Sequence, residues 1–411
     1  MMASLIRKFV LFFSGLALFM VAASVYFELR VRRTDDFYRQ VAEFRNPDVQ
    51  PSVLLVGDSR MAINVDPSRL PASVYNFSYP GESMRHLYLR VKFALETKPS
   101  IKHLVLGLED VLFSDARAQL RDAVPQMAFS DLVDLAEVYP SSARFLLRHA
   151  VLHYLPLVNA DQRRRTFDTL INDLRALITG RPAASAVEYS CGGLRFVREG
   201  QWSKLDKEQR HALAWNTVER LFDGSTYSPE MRAVLMRILD LANRHGVRVI
   251  GLRNPVSGSY AHAASRYSAD PRHAFFDPKD LYAVLDYETA LVTRPRDFQD
   301  ADHLNARGSA RFTERLLADL RKLAPIVDGG PRRCDSSRKP AVPTWPYHDV
   351  LSEWLKTPSC HNLRGTCGSA GPIESQLYEA NRPLDGGELQ DVKQRSGEAD
   401  AAHGTGAKEG A

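Results

Sequence analysis

Two short blocks near opposite ends of the chain hold the residue types that acyl transfer requires. Gly57-Asp58-Ser59-Arg60 follows the apolar run Ser52–Val56, and Asp300-Ala301-Asp302-His303-Leu304-Asn305 precedes Gly308 and an amphipathic stretch. A serine hydroxyl is a weak nucleophile until a base accepts its proton. The base in turn needs a carboxylate that fixes its tautomer and stabilises the imidazolium. An Asp three residues before a His on a tight loop supplies both from one segment, so Ser59, His303 and Asp300 are the candidate nucleophile, base and orienting acid. Either block alone is ambiguous. A serine after a strand is also an ordinary helix cap, and His303 is one of twelve histidines.

The elements that must position these blocks carry the weight. Three apolar runs, Ser52–Val56, Ser73–Ser78 and His103–Leu108, read as strands, with a helix predicted over His86–Leu95 between the second and third. A fourth run, Val247–Leu252, follows a helical pattern from Pro229 to Arg244 that ends at Gly246, and a last helix is predicted over Ala310–Leu323. Continuous apolar strands alternating with helices predict an α/β fold with a parallel sheet covered on both faces. Function in such sheets sits in the loops beyond the carboxyl ends of the strands. That rule selects Gly57-Asp58-Ser59, Tyr79-Pro80-Gly81 and Gly107-Leu108-Glu109.

About 135 residues separate the third and fourth strands, far more than an ordinary crossover connection needs. An insertion at about 113–245 is therefore expected, helical over Leu132–Leu155 and Phe167–Leu177, as a cap over the site or a docking surface. His149 and His153 stand four apart within it, but no third ligand lies nearby and no metal or cofactor is expected.

At the amino terminus, Phe9–Phe27 is uncharged and spans roughly 28 Å as a helix, close to the hydrocarbon thickness of a bilayer. A membrane anchor over residues 1–33 is expected, with a cleaved signal segment as the alternative. The basic residues on either side, Arg7 and Lys8 before and Arg30, Arg32 and Arg33 after, do not fix the orientation. A large following domain is nevertheless exported regardless of a small charge bias, so an extracytoplasmic, periplasmic location is expected. The domain runs over 34–327, and the Pro-, Gly- and Ser-rich residues 328–411 read as a disordered tail with a short helix near His348–Leu355. Four scattered cysteines make no disulfide framework or zinc site. The 54 basic and 49 acidic residues form no basic stripe, which argues against a nucleic-acid partner.

The two blocks in this order and context resemble the SGNH (GDSL-type) hydrolase superfamily, over a frame from about Ser52 to Leu323. The resemblance implies a three-layer, flavodoxin-like sheet and a Ser59–His303–Asp300 triad. It also implies an oxyanion hole made by the N–H of Ser59, the N–H of Gly81 and an Asn after the third strand. Glu109 stands where that Asn is expected. It either turns away and leaves two backbone donors, holds a cation such as Arg60 or Arg253, or weakens the site, because an ionised carboxylate repels a developing oxyanion.

Asp58, Arg60, Asp302 and Asn305 are expected beside the site. The anchor, the Gly-Asp-Ser-Arg form and the Asp-x-Asp-His-Leu-Asn ending are similar to anchored members linked to alginate O-acetylation and to D-alanyl transfer onto teichoic acids. The resemblance thus implies an esterase or O-acyltransferase acting on an acylated surface polysaccharide or a small ester. The alternative is a catalytically weak member that binds polymer or docks an envelope biosynthetic complex.

Overall fold

In a computed structural model of the chain, the residues described are 2–32, 35–118, 130, 132–139, 143–154, 157–180, 187–190, 193–196, 201–222, 228–267, 277–288 and 294–324. All fall within Met1–Cys334, the first of two units into which the chain divides. The tail expected over 328–411, its short helix and the four cysteines lie outside the described residues.

Helix α1 (Met2–Tyr26) is apolar, exposed along its length, and continues through a wider π-type turn, Phe27–Val31. It is long and apolar enough to span a membrane, and a signal sequence has the same character. Helix α2 (Asp36–Arg45), capped by Asp35, follows and turns its Phe37, Tyr38, Val41 and Phe44 inward.

The sheet comprises β1 (Val53–Val56), β2 (Val74–Asn76), β3 (His103–Gly107), β4 (Arg248–Arg253) and β5 (Ala283–Asp286) in the order β2-β1-β3-β4-β5, all parallel. β1 is apolar at every position, and β3 and β4 are apolar between His103 and Gly107 and between Arg248 and Arg253, because both faces are covered; all four side chains of β1 are fully buried. Alternate residues serve alternate faces. Val53, Leu55, Val74, Val105, Ile250 and Leu252 join one core with α3 (Ser59–Asn64), the helix Lys207–Phe222, the helix Gly258–Ala264 and the last helix Ala306–Leu323. The other face is covered by α4 (Met84–Thr97) and the helix Pro229–Arg244, which pack against each other and against β1 and β4, and by α2, whose Phe44 packs on Tyr75 of β2 and Phe93 of α4.

Between β3 and β4 the described residues include the helices Leu132–Val138 and Ala143–Tyr154, where one continuous helix was expected, and α5 (Ala160–Thr179). They also include a two-stranded antiparallel ribbon, Val187–Ser190 with Gly193–Phe196. Neither the ribbon nor β5 was anticipated. His149 uses Nδ1 on the carbonyl of Phe145 one turn earlier, at 3.0 Å.

Candidate active site

The polypeptide leaves β1 through Gly57 and enters α3 at once. A β-carbon on Gly57 would lie 2.6 Å from the β-carbon of Met61, so only glycine allows the helix to start this close to the strand. Asp58 is the cap, its Oδ1 accepting the N–H of Arg60 at 3.0 Å. Ser59 is therefore the first helical residue, where a backbone N–H has no intrahelical acceptor. Asp58 and Arg60 are buried on either side while Ser59 is partly exposed, so solvent reaches Ser59 between two covered neighbours.

The second block arrives from the far end of the sequence. Gln299 N–H bonds the carbonyl of His303 and Asn305 N–H bonds that of Asp297, closing the loop into a tight turn. Inside it, Asp300 Oδ1 accepts the N–H groups of Asp302 (3.1 Å) and His303 (2.8 Å). Asn64, fully buried in α3, accepts the N–H of Leu304 at 2.8 Å and so ties the Ser59 helix to the His303 loop.

The outcome is a contiguous chain of side chains. Ser59 Oγ lies 2.9 Å from His303 Nε2, and His303 Nδ1 lies 3.0 and 3.1 Å from the two oxygens of Asp300. With Nδ1–H donating to Asp300, Nε2 is free to accept the serine proton. Asp302 stands further from Nδ1, at 3.4 Å, and its other oxygen takes Arg60 Nε at 3.2 Å. Burial opposes a charged imidazolium, but the charges of Asp300 and Asp302 and the Asp300 hydrogen bond outweigh it and raise His303 from 6.5 to about 9. Asp300 is drawn below the usual carboxylate range: burial works against this, and the charge and hydrogen bond of His303 prevail.

Arg60, Glu109, Asn254 and Tyr260 form a buried polar layer beneath the triad. Arg60 stacks on the ring of Tyr260, 4.7 Å from its centroid, and donates to its hydroxyl. Glu109 turns to Asn254, whose side-chain amide and backbone N–H (3.4 Å) both address Oε1. It is not held by Arg253, which instead pairs with Asp110, Asp286 and Glu288. Arg60 acts on it only through space. Burial and the charge of Asp58 push Glu109 from 4.5 up to about 7, against the pull of Arg60 and Asn254.

A carboxyl with a raised folded pKa binds more protons folded than unfolded between the two values, so stability falls as pH rises from about 4.5 through about 7. Glu109→Gln keeps the acceptor for Asn254 and removes the ionisation. The variant should melt higher than the wild type at pH 8, by about several degrees, with the gap closing towards pH 5. Parallel thermal melts of the two proteins across that range check this.

Gly81 occupies the turn beyond β2 with φ of 80°, a left-handed conformation suited to glycine. Phe77 N–H bonds Leu55 carbonyl (2.8 Å) and Tyr79 N–H bonds Gly57 carbonyl (3.4 Å), so this loop runs beside the one carrying Ser59. A buried network props it from behind. Gln40 donates to the carbonyls of Asn76 and Ser78, and Arg90, itself fully buried, pairs with Glu82 and reaches Gln40 Oε1. Arg117, also buried, approaches the Gly81 carbonyl at 3.5 Å while its Nε has no hydrogen-bond partner among the described residues; burial lowers its pKa.

Of the residues expected beside the site, Asn305 is the outlier. Its Oδ1 caps the last helix through Arg307 and Gly308 N–H, and its amide bonds the carbonyls of Arg296 and Phe298. It shapes the His303 loop without touching Ser59, His303 or Asp300 through its side chain. Asn64, Asn254, Tyr260 and Arg117 were not anticipated, and no local sequence signal marks them. Among the described residues, Asp300, Asp302 and His303 could together offer a cation three ligand atoms within 4.8 Å of one another. Those same atoms already serve the imidazole, the backbone N–H groups and Arg60.

No protein-family model matches the chain, and no curated protein matches its sequence.

Proposed function

We propose that the protein is a membrane-anchored serine esterase or O-acyltransferase of the SGNH type, acting through an acyl-enzyme on an acylated cell-surface polysaccharide. The observation that carries this reading is the hydrogen-bonded chain from Ser59 Oγ through His303 to Asp300, set in loops beyond the carboxyl ends of a parallel sheet. The order β2-β1-β3-β4-β5 and the position of both blocks agree with the resemblance noted above.

In the proposed cycle, Ser59 Oγ attacks the ester carbonyl as its proton passes to His303 Nε2. The tetrahedral oxyanion is met by the N–H groups of Ser59 and Gly81. Collapse breaks the bond to the leaving oxygen, which takes the proton from His303, and the acyl group stays on Ser59. Water or a sugar hydroxyl then gives its proton to His303 and attacks the acyl-serine; collapse breaks the bond between the acyl carbon and Ser59 Oγ, which takes the proton back from His303 as the acid or the new ester leaves. Asp300 stabilises the imidazolium in both halves.

A base must be neutral to act, and His303 is held up to about 9. Asp300 is 41% exposed, so solvent screening draws the working midpoint below that value. Incubating the folded full-length chain with a fluorophosphonate should place one covalent adduct on Ser59. The labelling rate should rise with pH through a single step above 7. A folded chain that stays unlabelled at pH 9 would sink the reading.

That outcome favours a second reading, a silent member whose crevice binds polymer, and Glu109 is the observation behind it. A carboxyl stands at the place of the third oxyanion donor and faces Asn254.

A further inference from the structure

Helix α5 is built the wrong way round for a helix that meets only water on its outer side. Its polar and small residues Gln162, Thr166, Thr169, Asp173 and Ala176 face the rest of the protein, with Gln162 and Thr166 buried. Its large apolar residues Phe167, Leu170, Ile171, Leu174, Leu177 and Ile178 all stand exposed, Leu177 by 82% and Ile178 by 83%. Recurring three and four apart, they fill an arc of about 120° on the helix, the width of a face that in a globular helix packs on a core. Exposed Arg164 and Arg175 flank that arc on one side, with Asp168 3.8 Å from Arg164 between them, and exposed Arg163 stands at the head of the stripe one turn before Phe167.

The helix is fixed at the foot of α1. Asp173 accepts hydrogen bonds from Tyr26 Oη (2.9 Å) and Arg30 Nε (2.9 Å), in the last turns of the apolar span. Arg165 pairs with Asp35, the cap of α2. The bare stripe is thereby continuous with the point at which α1 leaves its apolar stretch, where a spanning helix passes from hydrocarbon to head groups. A strong apolar face flanked by arginines, at that depth, is the pattern of a helix lying in the plane of the interface.

We propose that α5 lies in the bilayer surface as a second membrane contact, its apolar stripe among the upper acyl chains and its arginines at the phosphates. This rests on reading residues 9–27 as a retained anchor. The contact fixes orientation as well as attachment. Phe37, near the start of α2, packs on Tyr79 beyond the carboxyl end of β2, whereas Asn46, after its end, receives Lys98 at the amino end of the sheet. With α1 and α5 both at the membrane, the end of the sheet bearing Ser59 is turned towards the lipid and the amino end, with Lys279 ahead of β5, away from it.

The unmodified full-length chain in nanodiscs of phosphatidylcholine and phosphatidylglycerol, containing a lipid with a diazirine high on its acyl chain, tests this. Photolysis followed by peptide mapping should find lipid adducts in both 9–27 and 167–178, and at least several-fold fewer around Lys279. Adducts in 9–27 alone overturn the α5 contact and leave the anchor standing. A chain recovered outside the discs, with neither segment labelled, overturns the anchor and this inference with it.

A cysteine-free chain bearing an environment-sensitive fluorophore at Leu177→Cys gives an independent reading. Blue-shifted emission quenched by a spin-labelled lipid supports the proposal. Blue-shifted emission that the lipid does not quench means that protein, a second copy or another segment, covers the stripe, and overturns it.

Discussion

Ser59→Ala is expected to lower ester turnover by about four orders of magnitude or more while leaving the fold intact, as removal of the nucleophile does in Ser-His-Asp enzymes. The chemical loss is large because the acyl-enzyme has no other oxygen on which to form, leaving only direct attack by water. The structural loss is small. Ser59 is partly exposed and, among the described residues, its Oγ is bonded only to His303, while the cap of α3 belongs to Asp58 and the tie to the His303 loop belongs to Asn64. Stability should therefore move by less than about 1 kcal/mol, as for substitutions outside a packed core. Turnover of an aryl acetate by wild type and variant, beside their melting curves, checks both halves. Equal turnover by two folded proteins removes Ser59 from the reaction, whatever its distance from His303.

What could be read before the structure and what could not divide along physical lines. Strands β1 and β3 were legible because a strand buried on both faces is apolar at consecutive positions, as in Val53–Val56. Strand β5 was not read, although Leu281–Leu285 is an apolar run: Ala283–Asp286 is short, lies half-exposed at the edge of the sheet and is not followed by a helical pattern that would frame it as a further strand–helix unit. The single helix expected over 132–155 ignored Pro140, which lies between the two observed helices.

At the site, Ser59, His303 and Asp300 were legible because each sits in a short block whose spacing has chemical meaning. The layer beneath them was not. Arg60 meets Tyr260 across 200 residues and Asp302 across 242, and Glu109 meets Asn254 across 145. Such partners are chosen by which strand ends adjoin in the sheet, and that order becomes visible only when the chain is folded. Glu109 shows the difference most plainly. The sequence exposed a misplaced charge and suggested Arg60 or Arg253 as its partner; the fold supplies an amide from the end of β4 and leaves Arg253 to other carboxylates.

The two carboxylates around His303 should separate under substitution, one carrying catalysis and the other stability. Asp300→Asn is expected to lower kcat by about three to four orders of magnitude, because an amide cannot stabilise the imidazolium and can present N–H to Nδ1, inverting the tautomer. The loop should survive, since the side-chain oxygen that accepts Asp302 and His303 N–H can be kept by Asn, and the 41% exposed side chain tolerates the change.

Asp302→Asn should cost catalysis only about tenfold, since Asp302 is the more distant acid, at 3.4 Å, and acts on the imidazole mainly through its charge. Its larger effect falls on Arg60, buried and robbed of the carboxylate that takes its Nε. Breaking one side of a buried pair costs about 3–5 kcal/mol. Tyr260 and the nearby charge of Asp58 remain to hold the guanidinium, so the expected loss is somewhat less, about 2–4 kcal/mol. Both variants remove negative charge from beside His303, so in both the pH at which labelling of Ser59 begins should fall. Steady-state rates, denaturant melts and the pH dependence of labelling, measured on the same two proteins, test the division. Were Asp302→Asn the variant that abolishes turnover and Asp300→Asn the one that melts early, the roles given to the two residues would be exchanged.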